Sequence, residues 1–161
     1  FLALAPQAEA VCSPIGATVT LPDFAIRAPR ALEHEESLSL GRKTLRAVVA
    51  PWVHVWDSML VYDETDRVLF TSDLFGQGGD RPPVEVEDLS SIIVEESRNS
   101  GVFPSQKHLE RTLQRIEPLA VDVLACHHGS VLAGDPTRYY RALRAEPVGD
   151  IVDSPFYDRH R

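Results

Sequence analysis

The 161-residue chain has only two cysteines, Cys12 and Cys126, and no paired spacing such as Cys-x-x-Cys. That argues against a disulfide framework or a structural zinc knuckle, and it suits a reducing cytoplasm. Basic residues are also scarce, with 16 Lys and Arg against 24 Asp and Glu and a formal net charge of −8. A surface for nucleic acid or for an anionic membrane needs clustered Lys and Arg, so both partners are excluded. No apolar run approaches the ~18 residues of a spanning helix, and no basic stretch precedes the first apolar residues, so neither a membrane span nor an export signal is expected. A glycine-rich phosphate loop is missing too, and with it any site for FMN or another nucleotide. The chain does not start on Met. It opens on Phe1 to Ala5 followed by Pro6, which reads as the last turn of a helix ended by the proline.

What is present is a composition 43% apolar, enough for a real core in one domain spanning residues 1–161. Lys43 to Pro51 has the β-branched centre of a strand. Ser58 to Asp73 reads as two strands joined by a turn at Asp63-Glu64-Thr65-Asp66. From Val86 the period becomes helical. One helix stops at Gly101, and a second, with Ser105 as its N-cap, puts Leu109, Leu113 and Ile116 on one face. Ala120 to Cys126 is a buried strand, and a third helix takes Asp135 as N-cap and Pro136 as its first residue. Ala8 to Ser13 suggests a short strand, Leu21 to Ser37 a proline-broken loop, and Pro147 to Arg161 has no clear period. Strands with helices packed on them imply a layered α/β domain.

Metal-ligand types fall at strand ends. His54, Asp73 and the pair His127 and His128 each follow an apolar strand-like run. Strand ends of one sheet lie side by side, so distant residues converge there. Two imidazoles and a carboxylate suit zinc or iron, and the carboxylate is able to bridge two ions. The bland alternative is a set of hydrogen-bonded loop residues. His34 and His108 are assigned to solvent.

The run Ala50 to Gln77, taken with Leu124 to Val131, resembles the second half of the metallo-β-lactamase fold, in its oxygen-binding di-iron (flavodiiron-like) branch. The marks are His54 followed by Asp57, Ser58 and Met59, then Ser72, Asp73, Phe75 and Gly76, then His128 and Gly129. Asp73 follows His54 by 19 residues, as in that family. Hydrolases of the superfamily usually have Gly where Asp57 stands. The resemblance implies an αββα sandwich in which His54 ligates one iron, Asp73 bridges both and His128 ligates the other. His127, Asp57, Trp56, Tyr62 and Phe75, with Trp52, become pocket or supporting residues.

The family's first metal motif, His-x-Glu-x-Asp-His, does not occur in this chain. The sandwich is therefore expected to be N-terminally incomplete, with about two protein ligands per ion from these residues. The flavodoxin-like module is absent as well. The resemblance implies an O2- or NO-directed oxidoreductase or an oxygen sensor, given the first motif upstream, with electrons arriving from a separate donor protein; it also admits a homodimer. Two other readings stand beside it: a zinc-dependent hydrolase of the same fold, and a metal-free truncated domain without catalysis.

Overall fold

The computed structural model describes residues 1–150. Its centre is a seven-stranded mixed sheet of order β3-β4-β5-β6-β8-β9-β7. These strands are β3 (Ser37–Ser39), β4 (Thr44–Val49), β5 (Met59–Asp63), β6 (Val68–Ser72), β7 (Val84–Glu85), β8 (Val123–Cys126) and β9 (Val131–Ala133). Two residues each of β1 (Val11–Cys12) and β2 (Arg30–Ala31) pair separately in parallel. Strands β5 and β6 form the expected hairpin, although its turn sits at residues 64–67. Asp63 Oδ1 closes that turn by accepting the N–H groups of Thr65 and Asp66, and so stays in its strand.

The chain leaves β6 and returns to the sheet in β8, parallel to β6, with Leu69 beside Leu124, Phe70 beside Ala125 and Ser72 beside Cys126. The return passes through α1 (Ser90–Ser100) and α2 (Gln106–Ile116). Gly101, at φ 61°, caps α1 through its N–H on the Ser97 carbonyl, the left-handed position that glycine fills without a Cβ penalty. Helix α2 buries Leu109, Leu113 and Ile116, the face expected from their spacing. Helix α3 (Thr137–Ala145) begins one residue later than Pro136. The N-cap is thus Pro136 rather than the expected Asp135, and Asp135 Oδ1, one residue further out, accepts the Thr137 N–H at 2.9 Å.

All three helices cover one face of the sheet. Val48, Leu60, Tyr62, Leu69, Leu124 and Leu132 share a single buried cluster with Ile93, Leu113, Tyr139 and Leu143. Each such side chain contributes ~2 kcal/mol from burial. On the opposite face Phe70 is 48% exposed, and its register partners Val61 and Ala125 are only half-buried. The described residues thus build one helical layer on one large sheet, and leave the second face of that sheet open at Phe70.

The opening segment keeps one helical turn, with the Leu4 and Ala5 N–H groups donating to the Phe1 carbonyl at 2.9 Å, and Pro6 ends it. Beyond it, residues 6–10 hold a short turn and no regular element. Arg27 gathers the segment's carbonyls, donating to Leu2, Ala5 and Ala8. Pro6 lacks the N–H a helix would need, and the guanidinium satisfies the carbonyls instead. The tail expected to lack periodicity lies, from residue 151 onward, outside the described residues. Among the described residues no helix is long and apolar enough to cross a membrane.

Candidate metal centre

Because β6 and β8 are parallel neighbours, Asp73 and His127-His128 leave the sheet at adjoining ends. Asp73 Oδ1 lies 3.2 Å from His128 Nε2 and 3.8 Å from His127 Nδ1. One carboxylate oxygen therefore faces two imidazoles. Both rings are largely exposed, with His127 Nδ1 also 3.5 Å from Ser72 Oγ.

His54 comes from the loop between β4 and β5. Its Nδ1–H donates to the Val102 carbonyl at 3.1 Å. A carbonyl only accepts, so Nδ1 carries a proton, and in the neutral ring the lone pair falls on Nε2, the tautomer a metal ligand through Nε2 requires. His54, Asp73 and His128 line one cavity of about 350 Å³, together with Gly76, Gln77, Glu96 and Val102. Among the described residues no three His, Cys, Asp or Glu side chains converge tightly enough to hold one ion. What does converge is Asp73 with the histidine pair, and His54 faces the same cavity from the other loop.

The backbone near these residues is strained. Trp52, His54, Ser72 and Phe75 all have positive φ, between 32° and 67°. Non-glycine residues rarely adopt this region, and they persist in it where surrounding packing over-determines them. Four such residues beside the candidate ligands mark this sheet edge as the place where the fold spends stability on shape.

The supporting residues divide. Trp52 and Trp56 line a second cavity of about 560 Å³ that shares His54 and Val102 with the first. Tyr62 and Phe75 do not. Tyr62 is 5% exposed and donates its hydroxyl to the Ala120 carbonyl at 2.7 Å. Phase along β5 turns it, like Leu60, toward the helices. Phe75 is fully buried against the rings of Tyr139 and Tyr140. Asp57 faces the N-terminal segment. Its carbonyl accepts from Ser13 Oγ at 2.7 Å, and after burial its carboxylate is the next influence raising the Cys12 thiol.

His34 and His108 are not the solvent-facing residues expected. Both are half-buried with Nδ1 out of contact with water. Burial, then the Arg115 guanidinium, hold His34 below its ordinary pKa. His108 meets the Trp52 ring edge-on at 6.3 Å between centroids. Cys126, the last residue of β8, is pushed by burial up to about 11, so its thiol stays protonated beside the cavity.

Sequence reasoning missed two residues. Gln77 is 1% exposed and bonded across the loops that carry Asp73 and His128. Glu96, on α1, lines the cavity and accepts the Gly78 N–H at 2.5 Å. Glycines on either side of Gln77 were the one available signal of a close backbone approach.

Comparison with known proteins agrees with this architecture. The chain is 30% identical over 153 residues, 87% of its length, to the type A flavoprotein fprA of Rhodobacter capsulatus, of which it covers 34%. It is 29% identical over 113 residues, 66% of its length, to a nitric oxide reductase of Moorella thermoacetica, of which it covers 28%. The chain thus spans about a third of the length of the curated relatives it matches. Among solved structures, the peroxy diiron species of the chemotaxis sensor ODP superposes with a TM-score of 0.69 at 17% identity, over 95% of this chain and 64% of that one. Residues 4–129 match the ODP family beta lactamase, and with more than half of the chain inside that match, the protein belongs to this family, a di-iron branch of the metallo-β-lactamase fold.

Proposed function

We propose that this chain supplies one half of a non-haem di-iron centre that binds O2 or NO, in an oxidoreductase of flavodiiron type. The observation that carries the reading is the position of Asp73 Oδ1, 3.2 Å from His128 Nε2 and 3.8 Å from His127 Nδ1, at the edge of a cavity that His54 also lines. Two histidines and a carboxylate are a donor set that iron accepts. An arrangement in which His54 and His128 serve different ions, with Asp73 between them, also explains why no three donors among the described residues close on a single point.

In this reading His54, through Nε2, and His128 would each hold an iron, and Asp73 would serve both. The iron pair, when bound, would supply the electrons for reducing a diatomic. The chain's own residues do the rest. Val102 fixes the His54 ring through Nδ1. Trp52, Trp56 and Val102 wall the approach with apolar surface, which favours a neutral diatomic over water. His127, beside Asp73 and largely exposed, would support the Asp73 carboxylate from outside the cavity. Electrons would come from a donor outside residues 1–161. The reading treats residues 1–161 as part of a single metallo-β-lactamase-like domain working in the cytoplasm.

The test is metal content by elemental mass spectrometry after expression with iron and zinc both supplied. It is run on the 161-residue chain and on the product of the intact gene. About two irons per intact product are expected, with fewer in the shorter chain. Zinc at that stoichiometry would replace the reading with a hydrolase, and no metal in either would end it.

A further inference from the structure

Gln77 carries an inference that rests on the di-iron reading and deepens it. Its side chain is 1% exposed, and its hydrogen-bonding groups are spent on backbone. Nε2 donates to the Phe75 carbonyl at 2.9 Å and to the Ser130 carbonyl at 3.3 Å, while Oε1 accepts the Ser130 N–H at 2.8 Å. The amide cannot be turned round, because an N–H needs an acceptor and two carbonyls need donors. Its backbone N–H adds a fourth bond, to the His128 carbonyl at 3.2 Å.

These bonds join two loops 53 residues apart in sequence. One begins at Asp73 and the other holds His128. The loops approach closely because glycines face each other across them. A Cβ at Gly76 would stand 3.6 Å from the His128 Cβ, and a Cβ at Gly129 would collide with the Gln77 amide and carbonyl oxygens. Gly129 also has φ 85°, which an L side chain adopts only under strain. Glu96 pins the outer end of the first loop through the Gly78 N–H.

We infer that Gln77 is a positioning residue: its buried amide sets the separation of Asp73 from His128, and so the geometry in which these two residues receive metal. A merely structural glutamine would satisfy the same backbone groups, but losing it would lower stability without changing the ligand field. Removing groups that orient metal ligands costs 10–100-fold in affinity.

The experiment uses Co(II) as an optical probe on the intact gene product. The wild type, Gln77→Leu and Gln77→Glu are compared, with Leu113→Ala as a control destabilised in the core of α2, a residue that lines neither cavity. Leucine keeps the volume and removes all the side-chain bonds. Glutamate keeps an acceptor for Ser130 N–H but turns an acceptor toward two carbonyls. Both Gln77 variants are expected to bind Co(II) about 10–100-fold more weakly, with a shifted ligand-field absorption. Leu113→Ala is expected to lose stability with affinity and spectrum unchanged. Wild-type affinity and spectrum in both Gln77 variants would overturn the inference and leave the metal reading standing. No Co(II) binding by the wild type would overturn both. Should the variants not fold, amide hydrogen exchange on the wild type decides: the Gln77 and Ser130 N–H groups must gain protection together when Co(II) is added, and unchanged protection overturns the clamp.

Discussion

Asp73 and His128 stand at the ends of two hydrogen-bonded parallel strands, joined beyond those ends by the buried amide of Gln77. His54, by contrast, stands in the loop of residues 50–58, among exposed Trp52, Val55 and Trp56. A single bond from Nδ1 to the Val102 carbonyl orients its ring. One side of the cavity is therefore held by a ladder and a clamp between strands, and the other by a loop closed on its own hydrogen bonds, with Val53 buried beneath it. The difference teaches where precision resides. Strand pairing and buried amides fix distances between elements, while a loop closed on itself fixes its own shape and leaves the ring to one side-chain bond.

The largest effect that would break this contrast is on metal. Asp73→Ala removes the carboxylate that both halves of the proposed centre would share, and elemental analysis should find essentially no iron in the variant. Full occupancy would mean that the ladder side is not the anchor. Next comes Gly129→Ala, which introduces a methyl into the Gln77 amide at a positive φ. Overpacking and backbone strain together should cost on the order of 3 kcal/mol in urea denaturation, and a loss below about 0.5 kcal/mol, the range of an ordinary surface change, would show the clamp to be slack.

His54→Ala sharpens the comparison from the other side. The residue is exposed, so stability should change by no more than about 0.5 kcal/mol, while about one metal of the pair is lost. Equal loss of both metals would put His54 on the same footing as Asp73. The smallest effect concerns pH. The Thr137 N–H and hydroxyl hold the Asp135 carboxyl below its ordinary 3.8. Its contribution to α3 is therefore complete above that value and disappears as pH falls through the lower folded one. Helix α3 carries the tyrosines that pack on Phe75. Acid should thus loosen the Asp73 loop before the His54 loop, and Asp135→Asn should flatten the acid limb of thermal stability measured from pH 5 to 2. An identical limb in the variant would show that the Asp135 carboxylate plays no part.

Much of this was visible in the residues. The hydrophobic period marked α2 and its buried face, Gly101 marked the end of α1, and apolar runs ending at Asp73 and His128 marked the sheet edge. The orientation of Tyr62 was not visible, because alternation along a strand says that two faces differ but not which one the helices cover. Nor was the burial of His34 and His108. Both are polar residues on segments that read as exposed, and both are enclosed by neighbours distant in sequence. Gln77 escaped notice because an isolated glutamine has no pattern; only its partners, which come from another loop, give it a role.

By itself the sequence determined the local elements, the donor types at the ends of β6 and β8, and the family match that spans residues 4–129. Those properties follow from periodicity, turn chemistry and motif spacing, which act over a few residues. Tertiary structure alone decided that Asp73 and His128 meet, that His54 faces the same cavity with Nε2 free, and that Gln77 locks the meeting. Each depends on pairing across some 50 residues, where the choice of partner is made by the packing of the whole sheet.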